Sequence, residues 1–368
     1  MKKFFYSLVI LALAAACGQD TFTLKGTVAE GETIPDNTYV YLLDGKTVLD
    51  SAAVVNGAFT LKAPADPTKT YTVCTDFRNR SPRDRSWVCP VIPEKGSFKF
   101  NFSADQSEST IDGSAINDAY EAFNDKLMEV YDNYSEKAEA LGEDAEEEME
   151  ALYEETIGKI KELSLEAIEK NPDNYIALSA LQNIIYDLPT DELKEVLAKC
   201  GKFVSENESI SRIVSSKEAE KATGEGQHFV DFSGKSPDGK DVKLSDYVGK
   251  GKWVLTDFWA SWCGPCMGEI PNIKKVYETF EGKDFMVLGI AVWETDGDNT
   301  HSADRMKEKE MKWTQIFVGD DKTPTDVYGV LGIPTMILFA PDGTIYKRGD
   351  VLRGESMYKT VAEALGKK

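Results

Sequence analysis

Histidine is scarce in this chain of 368 residues, which contains only His228 and His301. A histidine-based hydrolase or a histidine-rich metal site therefore has few candidate residues. Positive charge is also limited, since 42 lysines and arginines stand against 63 acidic residues and the formal net charge is −21. Because nucleic acids are bound by basic surfaces, we expect no nucleic-acid partner.

The sequence also lacks a long hydrophobic run near its start. The apolar stretch from Phe4 to Ala16 follows Lys2 and Lys3 and is shorter than the ~20 residues that span a bilayer. A short apolar segment with a basic start and small residues at its end is typical of a secretory signal. The sequence therefore predicts a signal peptide over 1–16 and an exported mature protein.

The letters LAAAC at 13–17 resemble a bacterial lipoprotein lipobox, although the preferred leucine would stand at Ala14. The alternative is ordinary cleavage after an A-x-A sequence, which 14–16 also fit. The resemblance implies a lipid on Cys17 that ties the protein to an envelope membrane, inner or outer, with the catalytic domain in the periplasm. In such an oxidising compartment, thiols form disulfides unless they are kept reduced.

Three regions differ in their sequence pattern. Residues 17–112 show short alternating runs with the turn signals Asp44-Gly45 and Asn56-Gly57, which predict a small β domain. Residues 113–225 show apolar residues at three- and four-residue spacing, which predicts a helical region in which Asp173 or Asn174 caps one helix. From 226 to 368, β and α segments alternate, as in an α/β domain with a mixed sheet.

The stretch WASWCGPCMGEIP at 259–271 carries the chemistry. Residues 253–259 predict a buried strand and 266–280 an amphipathic helix, so that Cys263 lies at the helix N-terminus. There the unpaired N–H groups and the helix dipole stabilise a thiolate, which makes Cys263 the predicted nucleophile. Cys266, shielded one turn later, is placed to attack a mixed disulfide on Cys263. Pro265 suits the first helical turn because it lacks an N–H.

Two other interpretations of the cysteine pair remain. Half of a zinc site would need two further ligands, and the sequence has no second C-x-x-C or Cys/His pair. A purely structural disulfide this tight would close almost no chain and would gain little loop entropy.

The letters DFWASWCGPC at 257–266 resemble the thioredoxin active site, and CMGEIP at 266–271 is similar to the TlpA/ResA-like branch of that family. The stretch GIPTMILFAPDGTI at 332–345 resembles the strand after the family's cis-proline. The resemblance covers 226–368. It implies a thioredoxin-like α/β domain with a mixed sheet flanked by helices, preceded here by the small β domain and the helical region.

The resemblance also implies residue roles. Asp257 takes the position of the buried acid that moves a proton at Cys266, and Glu269 matches the acid of the TlpA/ResA-like branch, whose members often carry a neutral residue at the other position. Trp262 is expected to shield the dithiol and shape the docking surface. The expected substrate-binding residues around the cysteines are Gly264, Pro265, Ile333 and Pro334, with Ile333–Pro334 as the cis peptide.

The resemblance implies that the protein exchanges thiols and disulfides with envelope proteins, without a cofactor. Gly-Pro between the cysteines resembles the reducing end of the family, so we expect reduction or isomerisation, with electrons from a DsbD/CcdA-like membrane donor. Disulfides of apocytochromes c are among the substrates that the resemblance implies. The alternatives are a thiol-dependent peroxidase of the AhpC/TSA type, although Thr256 is not followed by the cysteine that the Thr-x-x-x-Cys motif of such enzymes requires, and a non-enzymatic binding or assembly module.

Cys74 and Cys89 flank an arginine-rich stretch between two strand-like runs. A symmetric hairpin would place the two cysteines directly opposite one another, within the distance that a disulfide can bridge. We therefore predict a structural disulfide between them, with two separately buried thiols as the alternative.

Overall fold

The computed structural model describes residues 20–75, 87–141, 145–294, 297 and 299–366, and the chain divides into two compact units between Asn207 and Glu208. The predicted signal peptide and the predicted lipidation site Cys17 lie outside the described residues. Within the described ranges, no helix is long and apolar enough to cross a membrane.

Eight strands of the first unit form two four-stranded sheets, which confirms the predicted small β domain. The strands are β1 (Thr21–Val28), β2 (Tyr39–Asp44), β3 (Thr47–Ala53), β4 (Ala58–Pro64), β5 (Tyr71–Thr75), β6 (Val88–Val91), β7 (Gly96–Phe102) and β8 (Thr110–Asp112). Their orders are β4-β1-β7-β8 and β3-β2-β5-β6. Alternate apolar residues of both sheets, such as Leu24 and Leu42, enter one shared core.

The predicted turns join these strands. Asn56 and Gly57, between β3 and β4, have φ values of 50° and 73°, as a tight hairpin turn requires. Gly45, between β2 and β3, also has a positive φ of 57°. Both turn predictions are confirmed.

The predicted disulfide between Cys74 and Cys89 is wrong. β5 and β6 pair antiparallel, but Cys74 lies opposite Val88 and Cys89 lies opposite Val73. This register differs by one residue from a symmetric hairpin, and a one-residue shift turns a side chain to the other face of the sheet. The two sulfurs therefore lie on opposite faces, and Cys89 is a free, buried thiol whose pKa burial raises to about 12.

Helices complete the first unit: α1 (Ala115–Leu141), α2 (Glu146–Lys170), α3 (Tyr175–Ile184), α4 (Thr190–Lys199) and α5 (Lys202–Ser205). The side chain of Asn174 accepts a hydrogen bond from the backbone N–H of Ile176 at 2.9 Å and caps α3. Of the two predicted capping residues, Asp173 and Asn174, the structure confirms Asn174.

The second unit contains α6 (Glu208–Ala222), β9 (Ser233–Lys235), β10 (Asp241–Lys243), β11 (Trp253–Trp259), α7 (Gly264–Phe280), β12 (Phe285–Ala291), α8 (Thr300–Glu308), β13 (Thr314–Phe317), α9 (Thr323–Val327), β14 (Thr335–Phe339), β15 (Ile345–Arg348) and α10 (Gly354–Ala364). Its sheet has the order β10-β9-β13-β12-β11-β14-β15. β11 is parallel to β12 and antiparallel to β14. The predicted α/β domain with a mixed sheet is confirmed.

Both faces of β11 are covered. Leu255 and Trp259 pack in a cluster with residues of α7 and α10, whereas Val254 and Phe258 pack in a second cluster with Tyr328. A strand buried on both faces is a near-continuous apolar run, and β11 has the predicted bounds of 253–259. The strand that leads to the cysteines is therefore held by side-chain packing on both of its faces.

Gly289→Ala is expected to destabilise the second unit by about 1–3 kcal/mol because of overpacking. A Cβ at Gly289 in β12 would lie 2.0 Å from Oε1 of Gln315. That oxygen accepts a hydrogen bond from Nε1 of Trp259 at 3.0 Å. Urea unfolding followed by tryptophan fluorescence measures the effect.

The matched control is Gly268→Ala in α7, where an added Cβ would meet no heavy atom within 4 Å. This change is expected to stabilise the unit by about 0.5–1 kcal/mol, since alanine favours helix more than glycine does. Equal stability of Gly289→Ala and the unsubstituted protein would contradict the packing described for Gln315.

Candidate active site

The pairing of β11 with β14 brings two loops together. Phe258 of β11 lies opposite Thr335 of β14. Because these strands are antiparallel, the chain that leaves β11 toward Cys263 runs beside the chain that enters β14 through Ile333 and Pro334. The Ile333–Pro334 peptide bond is cis, as predicted. The carbonyl oxygen of Ile333 lies 3.7 Å from Sγ of Cys263.

Cys263 is the N-cap residue of α7 and is joined to Cys266 by a disulfide. The backbone N–H of Cys266 points at Sγ of Cys263 at 3.1 Å. When the disulfide is reduced, this N–H and the helix dipole favour negative charge on the Cys263 sulfur. Pro265 lies in the first turn, and α7 begins at Gly264, two residues before the predicted start.

Exposed residues surround the nearly buried Cys263, which is only 3% exposed. Trp262 is 58% exposed, and Gly264 and Pro265 are also exposed. Nε1 of Trp262 donates a hydrogen bond to the carbonyl oxygen of Trp293 at 3.0 Å, which fixes the indole ring beside the dithiol. A substrate disulfide would therefore meet these residues before it meets the sulfur.

Asp257 lies behind the dithiol. It has the same parity along β11 as Leu255 and Trp259, so its side chain points to the face where Cys263 and Cys266 pack. Asp257 is 1% exposed, and its Oδ1 has no hydrogen-bond partner among the described residues. Burial, and secondarily the negative charge of Glu269, raise the pKa of Asp257 to about 7. A carboxyl group of this kind can take up and release a proton near neutral pH.

Glu269 lies on α7 and is held by the start of α10. Its Oε2 accepts hydrogen bonds from Nδ2 of Asn272 and from the backbone N–H of Gly354, both at 3.0 Å. Nε of Arg353 lies 3.7 Å from its Oε1. A carboxylate at a helix N-terminus is stabilising, so Glu269 joins α7 to α10. Its predicted role as a proton carrier stays a prediction.

A buried carboxylate that sequence reasoning missed, Glu294, holds the residue before Trp262. Its Oε1 accepts from the backbone N–H of Ser261 at 2.7 Å, and its Oε2 accepts from the Ser261 hydroxyl at 2.8 Å. The Ser302 hydroxyl also donates to Oε1 at 2.7 Å. From the other side, Nε of Arg305 donates to the Ser261 carbonyl at 3.1 Å.

The sequence signal for Glu294 was its place three residues after the buried strand β12. In a parallel sheet, the carboxyl ends of neighbouring strands meet at one edge. A polar residue just beyond β12 therefore comes close to the residues just beyond β11, which are the residues that lead to the dithiol.

Comparison with known proteins agrees with this site. The model of the AhpC/TSA family matches residues 226–348, and that of a domain of unknown function, DUF4369, matches residues 22–120. The thiol-disulfide oxidoreductase ResA of Bacillus thuringiensis subsp. konkukian is 30% identical over 145 residues, which cover 39% of this chain and 77% of ResA. The thioredoxin-like protein YneN of Bacillus subtilis is 32% identical over 121 residues, covering 33% of this chain and 68% of YneN.

Among solved structures, the thioredoxin domain of a thiol-disulfide oxidoreductase from Bacteroides vulgatus is 30% identical. It covers 38% of this chain and 96% of that domain, with a TM-score of 0.35.

The mixed sheet, the cysteine pair at a helix N-terminus and the cis-proline loop beside it define a thioredoxin-fold redox protein. The chain belongs to the family of thiol-disulfide oxidoreductases related to ResA, and it carries a DUF4369 domain ahead of its AhpC/TSA domain. It is therefore an enzyme of thiol–disulfide exchange.

The raised pKa of Asp257 predicts a pH dependence of stability. An unfolded aspartate has a pKa of about 3.9, whereas the folded value is about 7. Between these values the folded state keeps a proton that the unfolded state releases, so the free energy of unfolding falls as the pH rises through this window. Asp257→Asn is expected to lose this dependence and to be more stable at pH 8 by up to about 4 kcal/mol.

Urea unfolding of the oxidised protein at pH 4.5 and pH 8 measures the difference. Tryptophan fluorescence mainly reports unfolding of the second unit, because five of the six tryptophans lie there and only Trp87 lies in the first unit. Asp284→Asn, at an exposed position, controls for removing one carboxylate. Parallel pH profiles of Asp257→Asn and the unsubstituted protein would contradict the prediction.

Proposed function

We propose that the protein reduces or isomerises disulfides of proteins in the cell envelope. The observation that carries this proposal is the position of Cys263, which caps α7 and lies 3.7 Å from the Ile333 carbonyl. A substrate chain that lies extended along the 331–333 loop can pair with its backbone and bring a disulfide to Cys263. The Gly264-Pro265 pair between the cysteines supports a reducing direction.

In the first step, the Cys263 thiolate attacks one sulfur of the substrate disulfide. A bond forms between Sγ of Cys263 and that sulfur, the substrate S–S bond breaks, and the other substrate sulfur leaves as a thiolate that takes a proton. The product of this step is a mixed disulfide between enzyme and substrate.

In the second step, Cys266 loses its proton and attacks Sγ of Cys263. The Cys263–Cys266 disulfide forms, and the second substrate sulfur leaves as a thiolate. The substrate has then gained two electrons and the enzyme has lost two. Asp257, on the same face of β11, is the proposed acceptor of the Cys266 proton.

Another protein must return two electrons to the Cys263–Cys266 disulfide. In an oxidising compartment we propose a membrane protein of the DsbD/CcdA type as the donor. We also propose that Cys17, in its lipobox-like sequence, carries a lipid that anchors the protein to an envelope membrane with the dithiol in the periplasm. Apocytochromes c are proposed among the substrates.

The thiol-dependent peroxidase remains the alternative activity. The sequence argues against it, because the fourth residue after Thr256 is alanine and no cysteine within 226–368 stands four residues after a threonine.

Cys266→Ser is expected to accumulate mixed disulfides with envelope proteins, because the second step is lost. Cys263→Ser is expected to accumulate none, because the first step is lost. Non-reducing gels of cell envelopes, followed by mass spectrometry of the trapped partners, measure both variants. Equal trapping by the two variants, or by neither, would show that the assigned order of the cysteines is wrong.

The reduction potential of the Cys263–Cys266 pair is expected near that of thioredoxin, about −270 mV. Equilibration with glutathione or dithiothreitol, followed by thiol alkylation, gives the value. A potential above about −180 mV would instead indicate an oxidant and would overturn the reducing direction.

A further inference from the structure

A cleft of about 440 Å³ lies within the second unit, between α6 and the loops that contain Trp293 and Leu331. This volume is within the roughly 300–1,000 Å³ of typical ligand pockets. One wall is α6, through Arg212 and Ser216. Since α6 ends before residue 226, it lies outside the part of the chain that matches the AhpC/TSA family.

Backbone contact fixes α6 against the loop that leads to the cis peptide. Gly329 has a φ of +61°, and a Cβ there would lie only 2.2 Å from the carbonyl oxygen of Ser216. The guanidinium of Arg348 donates to the carbonyl oxygens of Thr223 and Tyr328 at 3.0 and 2.9 Å. The wall of the cleft is therefore held at a defined distance from the loop.

Two residues that line the cleft connect it to the reaction site. Trp293, which lines the cleft, is the residue whose carbonyl holds the Trp262 indole. Leu331, which also lines it, comes two residues before Ile333, whose carbonyl lies 3.7 Å from the Cys263 sulfur. A polypeptide joined to Cys263 and extended along this loop would pass over the cleft.

The exposed charged residues that line the cleft have opposite signs, so they do not favour a ligand of one charge. Arg212 and Lys322 are offset by Asp320 and Asp326, and all four are exposed. Glu294 already accepts three hydrogen bonds from Ser261 and Ser302. Solvent-exposed ion pairs contribute little to binding, whereas burial of apolar area contributes more.

Apart from the four exposed charged residues and Glu294, the cleft is lined by uncharged residues, which are Ser216, Trp293, Thr325, Val330 and Leu331. We propose that the cleft is a substrate subsite that binds one large apolar side chain, close in sequence to the reactive cysteine of an oxidised polypeptide. This inference rests on the proposed function. Such side chains are exposed near a disulfide in partly unfolded proteins, and these are the substrates that the subsite would favour.

The test uses the full chain and pairs of short disulfide-containing peptides that carry Phe or Ser at each position next to the reactive cysteine. We expect kcat/KM for the best Phe peptide to exceed that for its Ser partner by about tenfold or more, mainly through KM. Ser216→Phe, which fills the cleft, is expected to remove this preference without changing the reduction potential.

The matched control is Ser215→Phe, because Ser215 is exposed on the same helix and does not line the cleft. It is expected to keep the preference. In case phenylalanine at the buried position 216 prevents folding, Leu331→Ser shortens the apolar surface without added bulk and is expected to reduce the preference.

Equal kcat/KM for all peptide pairs, equal effects of Ser216→Phe and Ser215→Phe, or a preference governed by the charge of the peptide would overturn the subsite. These results are distinguishable from failure of the proposed function, in which none of the peptides would be reduced.

Discussion

The backbone pairing of β11 with β14 determines where the redox chemistry of this protein takes place. With Phe258 opposite Thr335, the chain leaving one strand and the chain entering the other must lie side by side. The cysteine pair and the cis-proline loop therefore meet without any direct sequence proximity. A shift of this register by one residue would turn the side chains of β14 to the wrong face and separate the two loops.

Because β11 is buried on both faces, ionisation of Asp257 destabilises the folded state. A carboxyl group in a core is destabilising when it is ionised without hydrogen-bond partners, and Oδ1 of Asp257 has none among the described residues. Local cost of this kind is characteristic of functional sites. Glu269 differs, because Asn272 and Gly354 satisfy its Oε2. The two acids therefore lie in different physical surroundings, one without a hydrogen-bond partner at Oδ1 and the other with two at Oε2.

Local sequence signals predicted the local structure well. The bounds of β11, the turn at Asn56-Gly57 and the cap at Asn174 all follow from residues within a few positions of each other. The cis bond before Pro334 was predicted instead from the resemblance to the thioredoxin family. The Cys74–Cys89 prediction failed because strand register depends on packing in the whole sheet, and an error of one residue reverses a side chain. Glu294 was missed because its partner Ser261 lies 33 residues away.

The position of α6 also depends on contacts between residues far apart in the sequence, which local sequence signals do not reveal. The sequence pattern assigned its residues to a helical region ahead of the catalytic domain, and nothing in the helix itself marks a binding role. Its position depends on Gly329, where only the absence of a Cβ lets the backbone of α6 approach, and on Arg348, which lies more than a hundred residues from Thr223. The match to the AhpC/TSA family covers 226–348, which includes the dithiol and excludes α6. The wall of the proposed substrate subsite comes from residues outside that match, so under this proposal the choice of substrate can vary while the chemistry stays the same.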